Sequence, residues 1–278
     1  MIAAAFDHAA GEYDRHAALE QEVGRRLLER CAFSRREPQD ILDLGCGTGA
    51  GAEALKRKYR RARVVGLDLS QGMLKRFARR SRWLRPLSAV RGDIAALPIA
   101  GATADLVFAN LSDPWVTDRS AVFEEYRRVL RPGGMLLFST LGPATLRELR
   151  EAGGGSLALP GFPDLLQIGD ALVAAGFRDP VMDMESITLQ YSDLDALARE
   201  LEMTGAALLI DGWGDREADP AAWRAAWEPL RAAEKYPVSY EIVYGTAFGP
   251  EEGQPRRTRN GEVATISVDS LLKSRPIR

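Results

Sequence analysis

Over residues 40–140, short apolar runs alternate with longer amphipathic stretches. Asp40-Ile-Leu-Asp-Leu44 is stopped by Gly45-Cys-Gly-Thr-Gly49, and a helical stretch follows to Tyr59. Arg63-Val-Val-Gly-Leu-Asp68 reads as a second strand. The stretch from Ser70 then opens a helix, with the serine hydroxyl placed to accept an otherwise orphaned backbone N–H. Leu87-Ser-Ala-Val90, Ala104-Asp-Leu-Val-Phe-Ala109 and Met135-Leu-Leu-Phe-Ser139 read as the third, fourth and fifth strands. A helix from Asp118 to Leu130, closed by Arg131-Pro-Gly-Gly134, precedes the fifth. Parallel strands need long crossovers, usually helical, so this alternation predicts a doubly wound, mostly parallel α/β sheet with helices on both faces.

The flanks follow other patterns. From Phe6 to Cys31, Leu19, Val23, Leu27 and Leu28 recur at helical spacing and predict an amphipathic helix or helix pair. Beyond Thr140 the pattern predicts a helix over Pro143 to Ala152, broken by Gly153-Gly-Gly155, and another from Asp164 to a stop at Gly176. Val181 to Tyr191 reads as a strand, Asp193 to Thr204 as a helix, Trp213 to Lys235 as a loop and helix, and Val238 to Phe248 as a last strand. Gly249 to Gly261, rich in Pro, Gly and Arg, reads as a loop. The tryptophans at 213, 223 and 227 are expected to pack the C-terminal part. This divides the chain into an N-terminal helical cover (1–39), a core (40–140), a region of helices and last strands (141–250) and a loop and tail (251–278).

Composition narrows the class without naming a chemistry. The 278 residues are 46% hydrophobic and 27% charged, as in ordinary globular proteins, and only two cysteines occur, so a disulfide scaffold is excluded. No signal-peptide pattern opens the chain and no apolar run reaches the roughly 20 residues that cross a bilayer, so a cytoplasmic location is expected. His8 and His16 make no metal-ligand pattern with either cysteine, and no metal is expected. The formal charge of -2 hides an asymmetry. Residues 1–150 carry 25 Lys+Arg against 18 Asp+Glu, and Lys56 to Arg91 holds 13 basic residues and one acid, Asp68. Such a face steers acidic partners, although a solvated helix surface explains it equally well.

The candidate chemistry sits at the strand ends. Glycines in Asp43-Leu-Gly-Cys-Gly-Thr-Gly49 let backbone approach a ligand and turn into a helix, but the third glycine of a dinucleotide fingerprint is Ala50 here. Asp68 ends the second strand 19 residues after Gly49, a spacing that suits a carboxylate on ribose hydroxyls. Asp93 follows the third strand, placed to accept from the exocyclic amine of adenine. Tight-turn glycines and capping aspartates explain each feature singly; three together at consecutive strand ends point to a ligand beyond the carboxyl edge of the sheet. No G-x-x-x-x-G-K-[ST] is present, which disfavours a P-loop kinase.

This constellation resembles the class I S-adenosylmethionine-dependent methyltransferases, with their seven-stranded Rossmann-like sheet. The resemblance implies that Asp43 lies near the methionine part of the cofactor and that Gly45, Gly47 and Gly49 floor the site. It also implies that Asp68 holds the ribose, Asp93 the adenine, and that Asn110 lies beside the sulfonium. Cys46, Leu69, Ile94 and Leu111 complete the implied set, Cys46 as a small packed residue rather than a nucleophile. More specific stretches resemble the biotin-synthesis malonyl-carrier-protein O-methyltransferases: Phe6-x6-Tyr13-Asp14 with Ala17-Ala-Leu-Glu-Gln-Glu22, Phe138 to Arg150, Ile168-Gly-Asp-Ala-Leu172, Gly176 to Asp183, and Tyr240-Glu-Ile-Val-Tyr-Gly245. In that family Tyr13 would help close the N-terminal helix over the cofactor. Carriers are acidic, so Arg79-Arg80-Ser-Arg82-x2-Arg85 is a possible dock, with Arg256-Arg257-x-Arg259 a second, though more a surface loop.

Methyl transfer to a carboxylate needs no general base, because the acid is ionised at neutral pH. It needs an orienting group, and Tyr13, Arg147 and Arg150 are the candidates; for the two arginines a solvated face is the stronger reading. The family's Leu-Gln-Trp after the fourth strand is here Asp113-Pro-Trp115, its Asp-Met-His-Asp is Asp164-Leu-Leu-Gln167, and its Lys with Gly-Ala-Thr is Glu202 with Gly205-Ala-Ala-Leu208. Three acceptor readings therefore stand: a carrier-bound malonyl carboxylate, another acceptor (small molecule, amine or RNA), or an assembly-factor-like protein that binds the cofactor without transfer. The substituted positions 113–114, 167, 202 and 207–208 favour the second and third readings, length and the C-terminal half favour the first, and nucleic acid is not expected.

Overall fold

The computed structural model describes residues 2–34, 37–152, 159, 161–213, 217, 219–251, 256–258 and 261–263. The strands are β1 Asp40–Leu44, β2 Arg63–Asp68, β3 Ser88–Arg91, β4 Ala104–Asn110, β5 Leu130–Leu141, β6 Arg178–Tyr191 and β7 Tyr236–Phe248. They form one sheet in the order β3-β2-β1-β4-β5-β7-β6. β1 through β5 pair in parallel, and β7 runs antiparallel between β5 and β6. The seven-stranded, mostly parallel sheet expected from the alternation is the sheet observed.

The helices are α1 Ile2–Ala9, α2 Tyr13–His16, α3 Ala18–Glu29, α4 Ala50–Lys58, α5 Gln71–Arg80, α6 Arg119–Val129, α7 Arg147–Ala152, α8 Leu165–Ala174, α9 Leu194–Met203 and α10 Pro220–Trp227. Side chains alternate across a strand, so Ile41 and Leu42 face opposite layers. Ile41 joins Val23, Leu27, Leu55 and Phe77 from α3, α4 and α5; Leu42 joins Val122, Phe123, Ile168 and Leu172 from α6 and α8. The tryptophans pack as expected: Trp223 meets Trp213 and Trp227 edge to face, at 5.7 and 5.5 Å, and Trp227 is fully buried.

Three details differ from the pattern. The N-terminal stretch is three helices, broken around Gly11 and at Ala17, rather than one or two. β5 begins at Leu130, taking in Arg131-Pro-Gly-Gly134: Leu130 pairs with Ala104 across a bulge, and Gly133 takes a left-handed turn (φ +69°). Within the stretch read as a loop over 249–261, Arg256–Thr258 forms β8 and pairs with β9, Gly261–Val263. Ladder pairing, which composition does not report, decides that segment. Gly153-Gly-Gly155 and Arg259 lie outside the described residues. No described helix is long and apolar enough to cross a membrane.

Chain order reverses between β1 and β4, adjacent strands whose crossovers leave in opposite directions. Ligand crevices of open α/β sheets form at that point, beyond the carboxyl ends of the strands.

Candidate active site

The loop after β1 occupies this crevice. Gly45 turns it at φ +71°, and the backbone N–H groups of Gly45 and Cys46 donate to the Leu67 carbonyl at 2.8 and 3.0 Å, laying the loop against β2. Asp68, at the end of β2, accepts from Gly47 N and Ser70 N, both at 2.8 Å, and so ties the loop to the start of α5. Ser70 caps α5 as expected, accepting from Met73 N. Asp93 accepts from Ala95 N at 2.9 Å.

Two adjoining cavities open here, of about 420 and 570 Å³. The first is walled by Asp68, Leu69, Asp93, Ile94 and Leu111, the second by Asp43, Cys46 and Thr48; Tyr13, Glu20, Gly45, Gly47 and Asn110 line both. Every expected cofactor residue is brought to one or both, with one exception. Gly49 lines neither; it starts α4 at φ +92°, and a Cβ there would stand 2.6 Å from the Phe77 ring. Of the three glycines expected to floor the site, Gly45 and Gly47 line the cavities, while Gly49 serves the turn and the packing beneath it. Arg147 and Arg150 are likewise not brought to the cavities. Arg147 pairs with Glu148 at 3.1 Å, and Arg150 donates to the carbonyls of Pro143 and Thr145.

The N-terminal helices roof the site through long-range contacts. Asp7 of α1 accepts from Ser70 Oγ and Gly72 N, both at 2.6 Å, and Asp14 of α2 accepts from Thr48 Oγ1 at 2.5 Å and Arg80 Nη2 at 2.6 Å. Asn110 donates through Nδ2 to the Glu20 carbonyl at 2.8 Å and accepts from Ser139 Oγ at 2.9 Å, joining α3 to β4 and β5. Phe6 lies edge-on to Trp115 at 5.3 Å. Phe6, Trp115, Glu200, Thr204 and Tyr240 also line the first cavity. Of these walls, Glu20, Glu200 and Tyr240 escaped the residue-by-residue reading. Two of them lie within the family-like stretches, but nothing in the sequence shows that those stretches meet.

Electrostatics mark the junction. Asp43 is buried with Oδ2 unpartnered, and burial pushes its acid up to about 7. Glu20 is half-buried as a residue, with its Oε2 buried and unpartnered, and desolvation of the carboxyl, reinforced by Glu200, pushes its acid up to about 8. Burial also holds the phenols of Tyr13 and Tyr240 in the protonated form. An orphaned, buried carboxylate oxygen at a cavity wall calls for a ligand donor or a water. S-adenosylmethionine carries an ammonium, two ribose hydroxyls and an adenine amine, so Asp43, Asp68 and Asp93 fit it chemically.

Glu20 also yields a sign. Its folded acid lies above its ordinary value of 4.5, so its stabilising contribution is complete below about 4.5 and is lost as pH rises through about 8. Asp43 adds a slope of the same sign ending near 7. A Glu20→Gln variant, which cannot ionise, is expected to be more stable than the parent at pH 9 by a few kcal/mol and close to equal to it at pH 4. Thermal melts of the cofactor-free protein across that range check this; parallel curves would remove the buried-acid account.

Comparison with known proteins decides the family. A family model described as "Methyltransferase domain" matches residues 42–138, the segment holding the loop and strands just described. A malonyl-[acyl-carrier protein] O-methyltransferase of Xylella fastidiosa (strain M23) is 42% identical over 289 aligned residues, covering 100% of this chain and 95% of that protein. One of Gallionella capsiferriformans (strain ES-2) is also 42% identical, covering 97% and 96%. The chain belongs to the malonyl-[acyl-carrier protein] O-methyltransferase family. Among solved structures, the YcgJ protein of Bacillus subtilis superposes with a TM-score of 0.57 at 15% identity, covering 82% of this chain and 99% of that one, and shares the fold. The enzyme is an S-adenosylmethionine-dependent methyltransferase.

Within that family, the positions that depart from the pattern fall largely outside the cavity. Gln167 accepts from Asp164 N and, with Asp164, caps α8; Glu202 accepts from the Trp213 indole at 3.4 Å. Asp113 is buried and accepts from Arg119 Nε at 2.8 Å, two residues before Trp115, whose ring meets Phe6 edge-on. Only Pro114 and Trp115 of the substituted triplet, with Ala206 and Leu209 beside the other, line the cavity.

Proposed function

We propose that the enzyme methylates the free carboxylate of a malonyl group held as a thioester on an acyl carrier protein, a step of biotin biosynthesis in the cytoplasm. The observation that carries this reading is the reach of the 42% identity: it spans the whole chain, including the N-terminal and C-terminal segments that build the acceptor end. Among the described residues no lysine or arginine lines the first cavity, so the acceptor carboxylate is met by hydroxyl donors rather than by a guanidinium.

We assign the cofactor's ammonium to Asp43, its ribose to Asp68 and its adenine to Asp93. Bound there, S-adenosylmethionine supplies a methyl group on a cationic sulfonium, which a carboxylate oxygen accepts without a base. Tyr13 and Tyr240, kept protonated by burial, donate to the acceptor carboxylate, and Glu20 donates while it is neutral. Phe6, Trp115 and Leu141 exclude water. Removing the carboxylate's hydration and holding it in line are the enzyme's contribution, and such positioning is worth up to roughly 7–11 kcal/mol. Arg147 and Arg150 have no part in it.

Incubation with methyl-labelled cofactor and malonyl-carrier protein tests the reading. Base-labile label on the malonyl carrier, and none on an acetyl carrier that lacks the free acid, is the expected result. Cofactor binding without transfer to the malonyl carrier would overturn it in favour of another acceptor.

A further inference from the structure

Between α5 and β3 the chain makes a tight turn at Arg82 to Arg85. Arg82 N donates to the Arg85 carbonyl at 3.3 Å and Arg85 N to the Arg82 carbonyl at 2.8 Å. Below the turn, Ser81 Oγ accepts from Leu87 N at 3.0 Å and donates to the Leu87 carbonyl at 3.2 Å, so the base is rigid. Its tip carries Trp83 and Leu84, exposed to 94% and 82% of their full surface. Single exposed leucines need no explanation, but an adjacent tryptophan and leucine held outward on a rigid turn mark a contact surface. Around them Arg79, Arg82 and Arg85 are exposed, in the stretch where 13 basic residues meet one acid.

Arg80, by contrast, is spent within the protein. It donates to the Thr48 carbonyl at 2.8 Å, to Glu53 at 3.0 Å and to Asp14 at 2.6 Å. The helix end that carries the turn is thereby tied to both the glycine loop and the N-terminal roof. A partner seated on the turn sits on an element that touches the cofactor site.

We infer that the Arg82–Arg85 turn is the docking point for the carrier protein, with Trp83 and Leu84 inserting into an apolar recess on the carrier and Arg79, Arg82 and Arg85 meeting carboxylates around it. The inference rests on the carrier reading of the substrate. Charge complementarity selects an acidic protein, and the two apolar side chains supply the central anchor that interfaces build around aromatic residues. The arginines set the approach and its salt dependence.

The test compares the parent enzyme with Trp83→Ser/Leu84→Ser and Arg82→Ser/Arg85→Ser, each assayed with malonyl-carrier protein and with the malonyl thioester of N-acetylcysteamine. The expected result is a KM for the malonyl carrier raised about tenfold or more in both variants, with kcat within twofold. Turnover of the small thioester stays at the parent's level, which also shows that the variants are folded. The arginine variant loses most of the salt dependence of KM. Parent-like KM for the carrier in the Trp83→Ser/Leu84→Ser enzyme overturns the docking surface alone. So does loss of activity toward both substrates, or binding of the parent to anionic phospholipid vesicles that the serine variant loses while its carrier KM is unchanged. Failure of the parent itself to methylate the malonyl carrier overturns the substrate reading, and the docking inference with it.

Discussion

An Asp68→Ala enzyme is expected to bind S-adenosylmethionine about 10²- to 10³-fold more weakly than the parent, a loss of about 3–4 kcal/mol. Two separate effects follow, the first on affinity and the second on the stability of the loop that binds. The side chain leaves the cavity wall, removing the acceptor assigned to the ribose hydroxyls. It also abandons the backbone N–H groups of Gly47 and Ser70, and each donor left unpaired costs about 1–3 kcal/mol. Asp68→Asn incurs part of each. The amide keeps one acceptor oxygen but turns its NH₂ toward the other backbone donor, so the loop is still disturbed although the charge is gone. Calorimetric titration of both variants, with melting temperatures of the free proteins alongside, reads the result. Affinity within threefold of the parent for Asp68→Ala would refute the placement of the ribose.

Gly66→Ala is expected to lower stability by about 1–3 kcal/mol and to weaken cofactor binding without touching the cofactor. Gly66 lies within β2, where a methyl group would stand 2.3 Å from Phe77 Cε2, 2.6 Å from Cζ and 2.8 Å from Cys46 Sγ. Phe77 has no accessible surface, and the same edge of its ring stands 2.6 Å from the Cβ position at Gly49. The ring therefore fills the space beneath the glycine loop, and displacing it lifts the loop. At about 2–4 °C per kcal/mol for a domain near this size, a drop of several degrees in Tm follows. Phe77→Leu in the Gly66→Ala background removes the colliding atoms, so the double variant is expected to melt above the sum of the single losses. Strict additivity would show that the two residues do not share this contact.

The two variants differ in how visible their reasons are along the chain. Asp68 stands out because it ends an apolar run at a set distance from a glycine loop, and both features are local. Gly66 reads as a glycine in a strand, and only the ring of Phe77, arriving from α5, explains it. The same division runs through the site. Asp43, Gly45, Gly47, Asp68 and Asp93 were legible because strand ends in a parallel sheet converge on one edge whatever the details of packing. Arg147 and Arg150 looked suited to a carboxylate by chemistry alone, yet α7 spends them on Glu148 and on nearby carbonyls. Glu20 is an ordinary helix residue in the sequence. Its carboxyl is desolvated where α3 lies over β4, and there the Asn110 amide donates to the Glu20 carbonyl.

What the sequence by itself determined is the alternation of strands and helices, hence the doubly wound sheet, its crevice and the carboxylates along it. These follow from hydrophobic period, turn chemistry and the handedness of crossovers, all of which act over short stretches of chain. What the tertiary structure decided is the roof and the acceptor end. Asp7 bonds Ser70 and Asp14 bonds Thr48 and Arg80 across wide separations in the chain, and Glu20 and Tyr240 come to line one cavity. No local pattern records such meetings, because their free energy comes from surfaces that exist only once the sheet has formed.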